Sequence, residues 1–266
     1  MRQLSRYLVL VKGAGDLATG VIARLSRSGF RVVATEIPQP TVIRRTVALA
    51  QAVYDGQFAV EELRGRCVSP DQVDETIRQG AIPVLVDPLA ESIGRLRPHV
   101  VVDAIVAKRN LGTRITDAPL VIALGPGFTV GVDCHVIVET NRGHYLGRVI
   151  HTGAAEPDTG LPGEIAGHGW DRVLRAPAAG IFHPVLSISD TVAAGDTVAR
   201  VDETPIIAPL GGILRGLLRE GLQVRAGMKV GDVDPRATRD HCFAISDKAL
   251  AIGGGVLEAT FAGLDP

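Results

Sequence analysis

The chain has 266 residues, enough for one large domain or two ordinary ones, and its 46% hydrophobic and 21% charged residues are typical of a globular protein. The formal net charge of −1 argues against a nucleic-acid binder, which would need a surplus of basic residues. No apolar run approaches the ~18 residues of a membrane span, so no membrane partner is expected. Three separated cysteines without a C-x-x-C pair exclude a disulfide framework and favour a cytoplasmic location.

The first elements in chain order form a βαβ unit. Residues 7–11 are a continuous apolar run, as in a strand buried on both faces. A glycine-rich turn at 13–20 follows, and apolar residues then recur at helical spacing until Gly29. Residues 31–36 predict a second strand that ends in an acid.

The rest of the first half continues the alternation of helices and strands. Residues 41–54 predict a second helix and 57–69 an exposed hairpin, followed by a short helix at 70–79. Further buried strands are predicted at 82–86, 99–103 and 120–124, and an antiparallel hairpin between 133 and 150. The fold class is therefore α/β, with an open parallel sheet, in a first domain covering residues 1–150.

The second half of the chain has a different residue pattern. Residues 151–172 are rich in Gly and Pro and predict a loop or linker. Within 173–235 an internal repeat matches residues 176–181 to 208–213 at an offset of 32, which predicts an all-β module of two copies. Residues 236–266 predict a C-terminal helical segment. Its three consecutive glycines at 253–255 cost about 1 kcal/mol each against Ala, which indicates a close approach of another backbone, and we expect this helix to pack back on the first domain.

The glycine turn after the first strand is the first candidate site. Gly13 and Gly15 would let the backbone approach a phosphate, and the following helix N-terminus would supply N–H groups. Glu36 ends the next strand, where an acid can bind ribose hydroxyls. Asp16 is a less favourable neighbour, because its carboxylate repels phosphate. The alternative is a tight strand-to-helix turn without a ligand.

The second candidate follows the strand at 99–103. Arg109 could fork onto a phosphate, Lys108 could add a point charge, and Asp103 and Asn110 lie beside them. Because they follow a parallel strand, these residues are expected at the same sheet edge as the glycine turn. The alternative is a solvated basic loop beside a strand-end acid.

Two further candidates lie nearby in the chain. Gly125 and Gly127 form another glycine turn after a strand, either facing a cofactor or serving as a stiff connection. Arg142 and His144 lie at the predicted hairpin tip and could bind an anion, although a solvent-exposed turn explains them too. None of the seven histidines has the spacing of a metal-binding pair, so no tightly bound metal is expected.

Several motifs together resemble a known family. These are G-A-G-D-L-A-T-G at 13–20, T-E-I at 35–37, A-V-Y-D-G at 52–56, K-R-N-L-G-T at 108–113, G-P-G-F at 125–128, E-T-N-R-G-H at 139–144, T-G-L-P-G at 159–163 and I-S-D-K-A-L-A-I-G-G-G-V-L-E-A at 245–259. The combination is similar to the YqeB-type accessory proteins of the selenium-dependent molybdenum hydroxylase system. The first domain also resembles the Rossmann-like domain of XdhC-like cofactor-insertion factors, and the repeat resembles a biotinyl/lipoyl-type barrel-sandwich hybrid. The join between the copies at 202–205 has no lysine for a swinging arm.

The resemblance implies an accessory factor for maturation or insertion of the molybdenum cofactor in selenium-dependent hydroxylases. Its expected partners are a phosphate-bearing cofactor, either a molybdopterin-type cofactor or a dinucleotide, and a client hydroxylase. It supplies no catalytic residue. Two alternative functions stay open, an NAD(P)-dependent oxidoreductase and a binding scaffold with an empty first domain. The choice between a monomer and a homo-oligomer stays open as well.

Overall fold

A computed structural model describes residues 4–160 and 163–264 of the chain. They form two compact units, the first made of 4–40, 48–159 and 245–264 and the second of 41–47, 160 and 163–244. Leu161 and Pro162, which belong to the predicted linker 151–172 and to the motif at 159–163, lie outside the described residues, as do the ends of the predicted terminal domains at 1–3 and 265–266.

The first unit is built on a nine-stranded sheet with the order β3-β4-β5-β2-β1-β6-β7-β8-β9. Its strands are β1 (Leu8–Lys12), β2 (Arg31–Glu36), β3 (Gln57–Val60), β4 (Leu63–Cys67), β5 (Ile82–Val86), β6 (Val100–Asp103), β7 (Leu120–Leu124), β8 (Val136–Val138) and β9 (Val149–Ile150). The inner strands from β4 to β8 are all parallel. Both outer strands, β3 and β9, run antiparallel to their neighbours.

The continuous apolar runs explain the centre of this sheet. Every residue of β1 and of β7 is buried, as expected for strands covered on both faces. Leu10, Val33, Val101 and Ile137 pack together in one core from four different strands. Burial of these aliphatic side chains replaces the aromatic packing that the composition lacks.

The predicted fold class is wrong for this unit. The prediction was an open parallel sheet with helical crossovers, whereas this sheet is mixed, with an antiparallel strand at each edge. In the described connections from β6 to β7 (104–119) and from β7 to β8 (125–135) there is no helix. Strand periodicity finds the strands, but it does not reveal their direction or whether a helix or a loop joins them.

The α-helices among the described residues are mostly short. They are α1 (Asp16–Arg27), α2 (Ala52–Asp55), α3 (Val73–Arg78), α4 (Ser92–Leu96) and α5 (Asp247–Gly263). The two long helices, α1 and α5, pack on each other. A Cβ atom on Gly20 of α1 would lie 2.6 Å from the backbone of Ala249, and one on Gly253 would lie 2.6 Å from the carbonyl oxygen of Gly20. Glycines therefore bring the two helix backbones together.

The second unit contains two four-stranded antiparallel sheets, ordered β10-β17-β15-β12 and β14-β13-β11-β16. The strands are β10 (Val173–Arg175), β11 (Gly180–Pro184), β12 (Thr191–Val192), β13 (Thr197–Val201), β14 (Thr204–Ile207), β15 (Gly212–Leu217), β16 (Gln223–Val224) and β17 (Lys229–Asp234). The strands β11, β12 and β13 recur as β15, β16 and β17 at the repeat offset of 32. Equivalent strands thus fall in different sheets, around a core that includes Phe182, Leu214 and Val230.

The predicted barrel-sandwich-hybrid module is also wrong. Two separate sheets are present, and residues 41–47, predicted as part of a helix of the first domain, belong to this unit instead. The backbone N–H of Leu217 donates to the carbonyl oxygen of Ile43 at 2.8 Å, and Arg45 donates to the carbonyl oxygen of Leu217 at 2.7 Å. Such long-range contacts override the local helical pattern, which leaves only short helical turns in 45–55. In the parts of the chain that the structure describes, no helix has the length and apolarity to cross a bilayer.

Candidate functional site

The carboxyl ends of the central strands of the first unit form the candidate site. β1 lies between β2 and β6, so the chain order reverses at the gap between β1 and β6, the place where α/β sheets commonly bind ligands. Gly13 has a φ of +95°, and a Cβ there would lie 3.1 Å from the carbonyl oxygen of Ala104 after β6. Gly15 is the N-cap residue of α1. The glycine turn is therefore in contact with the start of the loop that carries the second candidate.

In this structure the Glu36 carboxylate is hydrogen-bonded to the protein backbone and is not free to bind a ribose. Its carboxylate accepts hydrogen bonds from the backbone N–H of Ala14 at 3.0 Å and of Ile37 at 2.8 Å. Burial raises the pKa of Glu36, while the two backbone hydrogen bonds act in the opposite direction. The side chain therefore binds the glycine turn and engages one of the amides that the sequence assigned to a phosphate.

Asp103 belongs to a buried network that supports the sheet edge. It accepts hydrogen bonds from the Thr113 hydroxyl and, at 3.1 Å, from the backbone N–H of Ile105. The Lys12 ammonium donates to the same hydroxyl and lies 3.9 Å from the Asp103 carboxylate. Both charged side chains are almost fully buried. We assign this pair to holding the end of β1 against the end of β6, since buried charges need partners.

Asn110 shapes the loop after β6. Its side-chain amide donates to the carbonyl oxygen of Thr113 at 2.8 Å and to Asp133 at 2.9 Å. Its side-chain oxygen accepts from the backbone N–H groups of Gly112 and Thr113 at 2.9 and 2.8 Å. With these four bonds, Asn110 fixes the loop conformation.

Lys108 and Arg109 are exposed on this fixed loop. Lys108 has a φ of +65° and its ammonium lies 3.6 Å from the Asp158 carboxylate. A Cβ on Gly127 would lie 2.6 Å from the backbone of Arg109, so the glycine turn after β7 packs directly against the loop. Gly125 packs instead on the side chain of Thr140. Gly127 therefore supports the basic loop through backbone contact, whereas Gly125 makes room for a side chain of the connection after β8.

The connection after β8 carries the remaining predicted residues. The buried Glu139 accepts hydrogen bonds from the backbone N–H groups of Thr140 and Asn141, both at 2.7 Å, and so fixes the start of this connection. Arg142 is exposed and donates to both carboxylate oxygens of one partner in α5, at 2.8 and 3.2 Å. His144 packs edge-on against the ring of Tyr145, with the centroids 5.2 Å apart.

Lys248 shows that several of these side chains converge. Burial lowers its pKa, and the positive charges of Lys108 and Arg142 lower it further, whereas Asp16 and Glu139 raise it. The four charged side chains that act on this ammonium come from three segments of the first unit: α1, the loop after β6 and the connection after β8. Asp16, Lys108 and Arg142 thus all act on the charge of Lys248, while Asp103 and Asn110 fix the sheet edge and the loop beside it.

Sequence reasoning missed Lys248. It lies in the first turn of α5, whose N-cap residue Ser246 accepts a hydrogen bond from the backbone N–H of Ala249 at 3.2 Å. The local signal in the sequence is this capping serine, which marks the start of a helix but not its place in the fold. Only the packing of α5 places this lysine at the edge of a sheet more than a hundred residues away in sequence.

A comparison with curated proteins gives a clear relative. No family model matches the chain. It is 53% identical over 253 residues to a protein of Escherichia coli (strain K12) with the curated name "Uncharacterized protein YqeB", and the match covers 95% of the chain. The chain spans about half of that protein's length, 47%. This supports the part of the sequence resemblance that concerns YqeB itself.

Solved structures show only weak likeness. They include an aspartoacylase family protein from Mesorhizobium loti (14% identity, TM-score 0.27) and the product-bound ectoine utilization protein EutE (DoeB) from Ruegeria pomeroyi (12%, 0.25). A third is a succinylglutamatedesuccinylase/aspartoacylase from Rhodobacter sphaeroides (16%, 0.27), and each match covers 85% of this chain and 84% of the other. At these TM-scores the likeness decides neither fold nor activity.

The descriptions of fold and function that the resemblance suggested need a correction. The names of these three structures concern acylase-type proteins and ectoine utilization, and none mentions molybdenum or selenium, so they give those descriptions no support. The descriptions "Rossmann-like" and "barrel-sandwich hybrid" are overturned by the mixed nine-stranded sheet and by the two separate sheets of the second unit.

Proposed function

We propose that the carboxyl edge of the nine-stranded sheet binds a phosphate-bearing small molecule through Lys108, Arg142 and Lys248. The observation that carries this proposal is that Arg142 binds Asp247, the residue next to Lys248, and that the charges of Lys108 and Arg142 both act on Lys248. Cationic groups that lower one another's proton affinity are stabilised by a bound anion. The amides of the glycine turn play a smaller part than the sequence suggested, because Glu36 engages Ala14.

Two of these cations already have carboxylate partners. Asp158 lies 3.6 Å from Lys108, and Asp247 binds Arg142 at 2.8 Å. Ion pairs this exposed contribute about 0–1 kcal/mol each, so a doubly charged phosphate can displace both carboxylates. We infer that Asp158 and Asp247 compete with the ligand, and that neutralising Asp158 strengthens binding.

The ligand class follows from the sequence resemblance together with this charge pattern. A molybdopterin-type cofactor and a dinucleotide both carry phosphate groups, and the residues at this edge fit a phosphate. A molybdenum cofactor would supply metal-centred redox chemistry to a client enzyme; this chain would bind and orient its phosphate. On that basis the proposed role is an accessory factor for maturation or insertion of the molybdenum cofactor in selenium-dependent molybdenum hydroxylases, with a client hydroxylase as partner.

Isothermal titration calorimetry tests the proposal with the full chain and with a molybdopterin-type cofactor, mononucleotides and dinucleotides as separate ligands. Replacing Lys248 by Met is expected to lower the affinity for the bound ligand by about tenfold, which is the effect of losing one charge-assisted contact. Asp158→Asn is expected to tighten binding. Arg114→Gln, an exposed arginine elsewhere on the loop after β6, is the matched control and is expected to change nothing.

Two results would overturn this function. The first is the absence of binding to every phosphate-bearing ligand, and the second is a ligand whose affinity is the same in the wild type and in Lys248→Met. Retention of NAD(P) on purification, with an absorbance change at 340 nm in a substrate panel, would replace it by the oxidoreductase alternative. In that case Glu36 would have to exchange its bond to Ala14 for the ribose hydroxyls.

A further inference from the structure

The second unit contains a buried group of charged side chains on adjacent strands of one sheet. Asp232 on β17 accepts hydrogen bonds on the same carboxylate oxygen, Oδ2, from Arg172 at 2.7 Å and from Arg215 of β15 at 2.8 Å. The side chains of Arg172 and Asp232 are 6% and 1% exposed, and that of Arg215 is 13% exposed. Burying charged groups this deeply costs free energy unless each positive charge has a negative partner.

The group extends along β17 towards the surface. Asp234 is buried and accepts from Arg215 at 3.3 Å, and from Arg236 at 2.9 Å through Nε and 2.6 Å through Nη2. His241 lies 3.9 Å from the same carboxylate. The side chains of Arg236 and His241 are 42% and 40% exposed, so this end of the group is open to solvent.

The backbone is shaped to bring these side chains together. The pairing of β15 with β17 shifts register between Leu214 and Gly216, which makes Arg215 the extra residue of a bulge. A bulge re-aims a side chain relative to the regular strand. Gly216 leaves room for the aspartate, because a Cβ there would lie 2.6 Å from Oδ1 of Asp232.

The positive charges outnumber the carboxylates. Lys229 on β17 is half-buried, and burial lowers its pKa; Asp232 raises it, and Arg172 and Arg215 lower it. Arg175 also acts on Lys229 and stacks on Trp170, with its guanidinium carbon 4.0 Å from the ring centroid.

The resulting balance is five cations against two aspartates. The cations are Arg172, Arg175, Arg215, Lys229 and Arg236, and the carboxylates are Asp232 and Asp234, which leaves three positive charges in surplus.

Unused donors accompany this surplus. The Nε atoms of Arg172, Arg175 and Arg215 are buried and have no acceptor among the residues that the structure describes, so in this group these donors outnumber the one carboxylate oxygen without a donor, Oδ1 of Asp232. A guanidinium presents its donors in a planar fork that suits oxygen atoms of phosphate and carboxylate groups. The surplus charge distinguishes between these groups: a phosphate dianion offsets two of the three charges, whereas a carboxylate offsets one.

We propose that the basic cluster formed by Arg172, Arg215 and Lys229 in the second unit is an anion site for a phosphate group. The phosphate enters beside the exposed side chains of Arg236 and His241. Its source is either inorganic phosphate or a small phosphate monoester, which share the same terminal group. The site is distinct from the sheet edge of the first unit and does not depend on the function proposed there.

Titration of the full chain with inorganic phosphate, followed by calorimetry and by thermal unfolding, tests this site. Lys229→Met keeps the length of the stem, removes the charge and breaks no carboxylate hydrogen bond described above. It is expected to weaken phosphate binding by about tenfold and to reduce the phosphate-dependent rise in melting temperature. Arg225→Gln removes an exposed charge from the same unit and is the matched control, with no change expected.

The remaining arms separate the ligand source and the two sites. Lys248→Met in the first unit is expected to leave the Lys229-dependent phosphate binding unchanged, which keeps failure of either proposal distinguishable. Binding of glycerol phosphate with the same dependence on Lys229 would extend the site to monoesters. Equal affinity for acetate and phosphate, or phosphate affinity unchanged in both Lys229→Met and Arg236→Gln, would overturn the assignment and leave the cluster as a structural ion network.

Discussion

Replacing the glycines of α5 by alanine, one at a time, measures how closely this helix packs on its neighbours. Alanine is favoured over glycine inside a helix by about 0.8–1.0 kcal/mol. At Gly254 a Cβ would meet no atom within 4 Å, so Gly254→Ala should gain most of that amount. At Gly253 a Cβ would lie 2.6 Å from the carbonyl oxygen of Gly20, and at Gly255 it would overlap the carbonyl oxygen of Gly147.

The cost of these overlaps should exceed the gain in helix propensity. Overpacking costs about 1–3 kcal/mol, and more where the obstacle is backbone that cannot rotate away. We therefore expect Gly253→Ala to lower the free energy of unfolding by about 1 kcal/mol and Gly255→Ala by about 2 kcal/mol, after subtracting the gain in propensity. Gly254→Ala, with the same chemical change on the same helix, should raise it.

Urea unfolding followed by far-UV circular dichroism gives these free energies, and hydrogen exchange of the α5 amides localises them. The slope of the free energy against urea should stay the same in all three variants. If the three alanine variants were equally stabilising, the close backbone approach of α5 to Gly20 and Gly147 would be refuted. The order of stability, with Gly254→Ala above the wild type and Gly255→Ala lowest, is the decisive readout.

Three other predictions use the charged and titratable groups of the first unit. Asp103→Asn should cost about 3–5 kcal/mol in urea unfolding because it leaves the Lys12 ammonium buried without its counter-charge, and a loss below about 1 kcal/mol would contradict a buried pair. Burial and neighbouring carboxylates raise the pKa of Cys134 from 9.0 to about 12. Below pH 9 its thiol is neutral in both states; above pH 9 the unfolded chain ionises first, so this contribution to stability is lost as pH rises towards 12, and thiol reagents at pH 8 should modify Cys134 only after unfolding. Arg142→Gln breaks the exposed pair with Asp247 and should change stability by less than about 1 kcal/mol. In calorimetry the same variant should lower the affinity for the phosphate-bearing ligand by about tenfold. An unchanged affinity would show that Arg142 does not contribute to the site.

The candidate site shows how far residue patterns reach. The glycine turn at 13–15 and the basic pair at 108–109 follow parallel strands, and their common sheet edge is a consequence of strand direction. The sequence could not show that Glu36 would bind the turn itself, since that depends on the distance between two strand ends. Lys248 was missed for a similar reason, because its helix reaches the site only by tertiary packing.

The basic cluster of the second unit was invisible to the same reasoning. Arg172, Arg215 and Asp232 are 17 to 60 residues apart and follow no spacing rule. A register shift between β15 and β17 aims Arg215 at the aspartate, and such a shift leaves no periodic signal in the sequence. The repeat was visible, but its two copies place equivalent strands in different sheets.

The sequence alone determined which segments become strands, that a glycine turn follows the first of them, that residues 176–234 repeat, and that the glycines at 253–255 favour a backbone contact. These are local properties, because periodicity, turn chemistry and propensity act between residues close in the chain. Strand direction, the transfer of residues 41–47 to the second unit, and the grouping of charges around Lys248 and Asp232 were decided only by the tertiary structure. Their physical cause is long-range burial and pairing, in which each contact depends on where distant segments have already packed.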